Sequence, residues 1–105
     1  MQSLALAENI AADAVAAQAG VALTATPFYP GRSVVGVVVY SGNMAAAATV
    51  KIQSAPDNAT WTDQLTSSTL VGKFGVVGTD NYMRANCTAA GTAGSKYSAY
   101  LLGGV

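Results

Sequence analysis

The clearest pattern in the chain is a two-residue alternation over Ala47–Ser54 (AATVKIQS). Val50 and Ile52 fall on one side; Thr49, Lys51 and Gln53 fall on the other. Successive side chains of a strand point to opposite faces, so this segment predicts a half-buried strand with one wet face. Tyr82–Thr88 (YMRANCT) repeats the pattern, with Met83, Ala85 and Cys87 opposite Tyr82, Arg84 and Asn86. Ser33–Tyr40 (SVVGVVVY) is β-branched and almost continuously apolar, which predicts a central strand covered on both faces. Val21–Thr26 alternates through Val21, Leu23 and Ala25 and predicts a further strand. Thr69–Val77 is β-prone but interrupted by Gly72 and Gly75, which marks a bulge or a close backbone approach. Ala59–Leu65, with Trp61, predicts a short strand or bend. Lys96–Leu102 (KYSAYLL) predicts the last strand, on which Tyr97 and Tyr100, three apart, face opposite sides.

Turn chemistry separates these runs. Pro27 and Pro30-Gly31 flank Phe28 and Tyr29. Ser41-Gly42-Asn43, Ala55-Pro56-Asp57-Asn58 and Gly78-Thr79-Asp80-Asn81 follow, and Ala89–Ser95 is a loop of small residues. Short strands with turn signals every roughly 8–12 residues predict an all-β domain, a sandwich or a small barrel; the form expected over residues 21–105 is a single antiparallel β-sandwich, jelly-roll-like. No helical pattern of the length a βαβ unit requires follows Val21.

Residues 1–20 differ from the rest. They are rich in Ala, the best helix former, and Leu4, Leu6, Ile10 and Val15 give only a thin apolar stripe. Two forms suit this N-terminal arm: a short helix over Leu4–Gln18 ending at Gly20, or an extended arm ordered by neighbouring subunits. The Ala-rich stretch lacks a basic segment before it, and Glu8 and Asp13 interrupt it, so it does not read as a signal peptide.

Charge changes the picture most. Only 10% of the 105 residues are charged and the formal net charge is zero, against about 25% charged in an ordinary domain. Copies of such a surface repel one another weakly, which favours association. Arg32, Lys51, Lys73, Arg84 and Lys96 are scattered, so no basic face for nucleic acid is expected. The longest strongly apolar run, Val34–Tyr40, falls far short of the ~20 residues of a membrane-spanning helix.

The chain has no histidine and one cysteine. Ser-His-Asp and Cys-His catalytic units cannot be assembled, and no zinc cluster or phosphate-binding glycine loop is present. No catalytic residue, cofactor or metal is therefore expected. Asp57 and Asp63 are the pair that an acid/base role could use, and the oxygens of Asp57, Asn58 and Asp63 are those a Ca²⁺ site could use. Turn capping by Asp57 and local hydrogen bonding by Asp63 account for both positions. Trp61 reads as a core or sandwich-edge residue, with a sugar-stacking platform as the competing role. Cys87 reads as a buried small hydrophobe.

Two stretches together carry a resemblance. Val50–Asp63 (VKIQSAPDNATWTD) joins a strand, a polar turn and a Thr-Trp-Thr-Asp segment. Tyr82–Leu102 (YMRANCTAAGTAGSKYSAYLL) joins an aromatic-Arg-Ala strand, a glycine-bearing loop and a Tyr-rich strand. Over about half the chain this resembles small β-sandwich structural proteins of tailed bacteriophages, of the capsid decoration (cement) type. The resemblance implies a non-enzymatic virion protein, made in the host cytoplasm, that binds the major capsid protein on the capsid surface. A homo-oligomer is expected, with a trimer favoured, and neither nucleic acid nor membrane as partner. The alternative is a carbohydrate- or receptor-binding module of a phage tail or fibre. The residues expected at the interface are Leu4, Leu6 and Ile10 of the arm, Phe28 and Tyr29 of the Pro-flanked loop, Tyr82 and Arg84 on one strand face, and Tyr100.

Overall fold

The computed structural model describes residues 2–103. Residues 1, 104 and 105, the outer limits of the expected arm and domain, lie outside the described residues. Nine strands are formed among the described residues: β1 (Gln2–Ala11), β2 (Ala16–Ala17), β3 (Val21–Ala22), β4 (Ser33–Gly42), β5 (Thr49–Ala55), β6 (Thr62–Ser67), β7 (Lys73–Gly78), β8 (Tyr82–Ala89) and β9 (Ser95–Gly103). They build two antiparallel sheets. One runs β1-β9-β4-β7; the other runs β2-β8-β5-β6, with β3 also paired to β8. The chain is a single β-sandwich. Each sheet alternates strands from the two halves of the chain, which is the jelly-roll arrangement.

Alternation explains the core. Val34, Val38, Tyr97, Ala99 and Leu101 point inward from the first sheet; Val50, Ile52, Met83, Ala85 and Cys87 point inward from the second. Gly36 belongs to the inward row of β4, where the side chains of Ile52 from the facing sheet and Val77 from β7 close over its backbone. A Cβ at this position would stand 2.8 Å from Val77 Cγ1 and 2.9 Å from Ile52 Cδ1. Tyr40 ties the sheets together by polar contact. Its hydroxyl donates to the Ala48 carbonyl at 2.9 Å and lies 3.1 Å from the hydroxyl of buried Ser67. Burial raises the pKa of Tyr40, against the Ser67 hydrogen bond.

The N-terminal segment is a strand of the sandwich. The helix over Leu4–Gln18 is not formed: β1 pairs with β9 from Gln2↔Gly103 to Ala11↔Lys96. Alanine's helical preference is small per residue, and a helix with so thin a stripe buries little. As a strand the same segment gives the backbone groups on one of its sides to β9 and brings Leu6 and Ala7 into the core, with Leu4 and Ile10 packed against it. The segment extends along its own sheet, so no neighbour is needed to order it.

Two other expectations are corrected. Only Val21–Ala22 of the Val21–Thr26 run is strand. Leu23–Ala25 turns into a single 3-10 turn, where Leu23 is fully buried and the Thr26 hydroxyl donates to the Leu23 carbonyl at 3.0 Å. β4 is central in its sheet, as its sequence suggests, yet only one of its faces is covered: Val35 and Val39 are exposed.

Half-buried Tyr40 and fully buried Tyr97 give opposite expectations. Tyr40→Phe leaves the Ala48 carbonyl and Ser67 hydroxyl without their partner, and is expected to destabilise by about 1–2 kcal/mol. The Tyr97 hydroxyl has no hydrogen-bond partner; the Gln18 side chain lies beside it without reaching bonding geometry. Tyr97→Phe is expected to be neutral or slightly stabilising. Urea unfolding of both variants, compared at unchanged slope, checks the pair.

Candidate functional site

The two sheets present outer faces of opposite character. The face of the β2-β8-β5-β6 sheet is polar. Lys51 Nζ donates to Asp63 Oδ2 at 2.7 Å, and Gln53 Nε2 donates to Asp63 Oδ1 at 2.7 Å. Gln53 Oε1 in turn accepts from Arg84 Nε at 2.8 Å and from Asn86 Nδ2 at 3.3 Å. The Arg84 guanidinium lies 4.2 Å from the Trp61 ring centroid. The backbone of Gly20 closes on the other end of that ring, since a Cβ there would stand 2.9 Å from Trp61 Cη2. Trp61 is thus half-buried under an arginine at the sandwich edge, with one ring face occupied.

The carboxylates are committed to structure. Asp57 Oδ1 accepts from the Ala59 and Thr60 N–H groups at 2.9 and 2.6 Å, and Oδ2 accepts from the Thr60 hydroxyl at 2.8 Å. This is turn capping, as the Pro-Asp-Asn signal predicts. The Thr60 N–H is the first cause that holds the Asp57 carboxyl below the ordinary carboxylate range. For Asp63 the first cause is the Lys51 hydrogen bond, followed by Gln53. Its partners are cross-strand side chains, in place of the local backbone group expected. A general acid requires a raised pKa, and both groups are shifted the other way. Cys87 is fully buried, and burial raises its thiol pKa. That is the opposite of what a reactive thiol requires.

The outer face of the β1-β9-β4-β7 sheet is apolar. Cross-strand register lines its side chains into rows. Val76, Val35 and Leu102 form one row, ending at Ser3 on β1. Phe74, Val37 and Tyr100 form the next, ending at Ala5. Val39 opens a third row beside Ser98. Exposure is greatest on β7 and the turn before it: Phe74 is 76% exposed, Val76 72% and Val71 90%. No charged side chain interrupts the two rows.

The residues expected at an interface divide accordingly. Leu6 and Phe28 are core residues, and Leu4 and Ile10 pack against the core. Their apolar character serves the fold, and Leu4 and Ile10 keep part of their surface exposed. Tyr29 is exposed, on a loop fixed by Thr79, whose hydroxyl donates to the Tyr29 carbonyl and accepts from the Arg32 N–H, both at 2.8 Å. Tyr82 and Arg84 are half-buried on the polar face, and Tyr100 is half-buried on the apolar one. The structure brings Tyr100 together with Val37 and Phe74, which sequence reasoning did not single out. The available signal was the continuous apolarity of β4 and the alternation of Phe74 and Val76 across Gly75. No protein-family model matches the chain, and no curated protein matches its sequence.

The shifts of Asp57 and Asp63 set a pH dependence. Each carboxyl is lowered in the folded state, so the unfolded chain takes up protons first as pH falls. Their contribution is present above about pH 4 and is lost below it, as pH drops through the folded-state values. Thermal melts between about pH 2 and 7 are expected to show stability falling below pH 4, with a shallower fall in Asp63→Asn.

Proposed function

We propose that this chain is a non-catalytic structural subunit that works by laying the apolar outer face of its β1-β9-β4-β7 sheet against another protein surface. The observation that carries this reading is the uninterrupted apolar patch of Val35, Val37, Val39, Phe74, Val76 and Leu102 on an otherwise soluble sandwich. Exposed Val71 and Leu70 add to it, and a large exposed apolar patch marks an interaction surface. Such a patch costs solubility unless a partner covers it. The low charge content supports the same reading.

The form of assembly we favour is decoration of a bacteriophage capsid, with the major capsid protein beneath the apolar face and the polar β8-β5-β6 face turned to solvent. The resemblance of Val50–Asp63 and Tyr82–Leu102 to phage sandwich proteins supports this choice. The jelly-roll arrangement does not choose by itself, because viral capsid and lectin domains share it. The carbohydrate-binding alternative draws less support, because Arg84 already occupies one face of Trp61.

Sedimentation with intact phage heads tests the proposal. The wild-type chain is expected to pellet stoichiometrically. Val37→Lys with Tyr100→Lys is expected to weaken binding at least tenfold, about 1.4 kcal/mol, while Asn86→Lys on the polar face leaves it unchanged. Deleting residues 2–11 is not a clean test, since it removes a strand of the sheet. No pelleting at any salt concentration, or equal pelleting by all variants, overturns the proposal.

A further inference from the structure

Two sheets have four edges, and three of these are guarded. β1 breaks register between Ala5 and Ala7 and again between Ala7 and Ile10, and it carries exposed Glu8. The β2/β3 edge consists of two strands of two residues each. β6 breaks register opposite Ile52/Gln53 and exposes Thr62, Asp63 and Thr66. Bulges, short strands and charged side chains are the means by which edges avoid pairing with another chain. β7 is the exception. Its ladder with β4 runs unbroken from Val38↔Lys73 to Ser33↔Gly78. It has no proline, its one charge is at its first position, and it exposes Phe74 and Val76.

Backbone direction makes the edge usable. The Gly78 N–H points away from β4, where the Gln64 side chain caps it at 3.1 Å. Antiparallel alternation turns the N–H and C=O groups of Val76 and Phe74 the same way, and gives those of Val77 and Gly75 to β4. No strand pairs with β7 on that side among the described residues; β6 of the other sheet lies beside it and supplies Gln64.

We infer that β7 pairs antiparallel with β7 of a second copy of this chain, about a twofold axis at Gly75. In that register Phe74 stands opposite the copy's Val76 as a hydrogen-bonded pair, and Val76 stands opposite the copy's Phe74. Each pair exchanges both backbone bonds and stacks an aromatic ring on a β-branched side chain. Gly75 meets its own copy between them. Lys73 falls opposite Val77, so the two Lys73 charges sit roughly 13 Å apart along the strands, beyond the ~10 Å screening length at 0.1 M salt. Zero net charge adds no repulsion between copies. The inference deepens the assembly reading, because the pairing fuses two apolar faces into one broad surface. It concerns the chain alone and is tested without a capsid. A twofold pairing gives a dimer in place of the expected trimer.

Sedimentation equilibrium on the purified chain tests it. An edge pairing buries less than the ~800 Å² per partner of a standard interface, so mass is expected to rise with concentration. It should approach twice the 10.5 kDa chain by about 1 mM. Val76→Pro removes a donor that makes no bond to β4, and edge strands accept proline at such positions. It is expected to keep the far-ultraviolet spectrum and unfolding midpoint near wild type while weakening association at least tenfold. Val77→Pro, which removes a donor to β4, is expected to unfold the chain. Should Val76→Pro not fold, Val76→Lys puts a charge opposite the copy's Phe74 and is expected to weaken association likewise. A chain that stays monomeric to 1 mM, or a dimer indifferent to the Val76 variant that folds, overturns the pairing. Capsid pelleting by a monomeric wild type would leave the assembly reading standing without it.

Discussion

Everything in this molecule depends on two sheets closing on each other through side chains alone. The chain has one cysteine and it is fully buried, so no disulfide within the chain holds the sandwich. A domain near a hundred residues has a modest core, and here much of that core is Val, Ala and Gly. Small side chains fill the space only if the sheets approach closely. Gly36 permits the approach, and Tyr40 locks it by reaching across to Ala48 and Ser67. The inner faces are thereby given to packing, and it is on their outer surfaces that the two sheets differ.

Those outer surfaces obey one period with opposite content. On β5 and β8, alternate positions carry Lys51, Gln53, Arg84 and Asn86, which satisfy one another and Asp63 in a closed network. On β4 and β7, alternate positions carry Val35, Val37, Val39, Phe74 and Val76, which satisfy nothing within the chain. A polar network that closes on itself needs no partner. An apolar row left partly in water is unfavourable by about 25 cal/mol for every Å² left uncovered. The asymmetry is what supports the proposal that the first sheet is the working side.

Much of the fold was legible because it follows from strict alternation. β5, β8 and β9 have a clear inward row, and their side chains face as the pattern predicts. The segments that were misread are those whose state is decided by distant partners. Gln2–Ala11 has local helical preference, but its place is set by β9, at the other end of the chain. Leu23 alternates with Val21, yet the chain turns there to drive Leu23 fully into the core. At the candidate site the sequence signal was present but ambiguous. Continuous apolarity in Ser33–Gly42 states that both faces avoid water; it does not state what covers the second face. Leu4, Leu6, Ile10 and Phe28 show the converse ambiguity. They look like contact residues when the segment is taken as a free arm or loop; in the sandwich Leu6 and Phe28 are core, and Leu4 and Ile10 pack against it while staying half-buried.

The pattern of guarded edges adds a step that composition could not supply. Edge protection costs something locally: a bulge interrupts a ladder, and a charge must remain hydrated. Three of the four edges of this sandwich carry such features, so its open edges are not a general property of the fold. β7 lacks them along the same strand whose side chains are the most exposed and apolar. Gln64 even caps Gly78, the last outward donor of β7, while the donors of Phe74 and Val76 are left open. An unprotected edge and an uncovered face on one strand form a single surface, with backbone groups along its side and apolar groups on top. A partner that satisfied the face alone would leave the edge open, and one that satisfied the edge alone would leave the face wet. Two kinds of contact, one through the edge and one over the face, account for both.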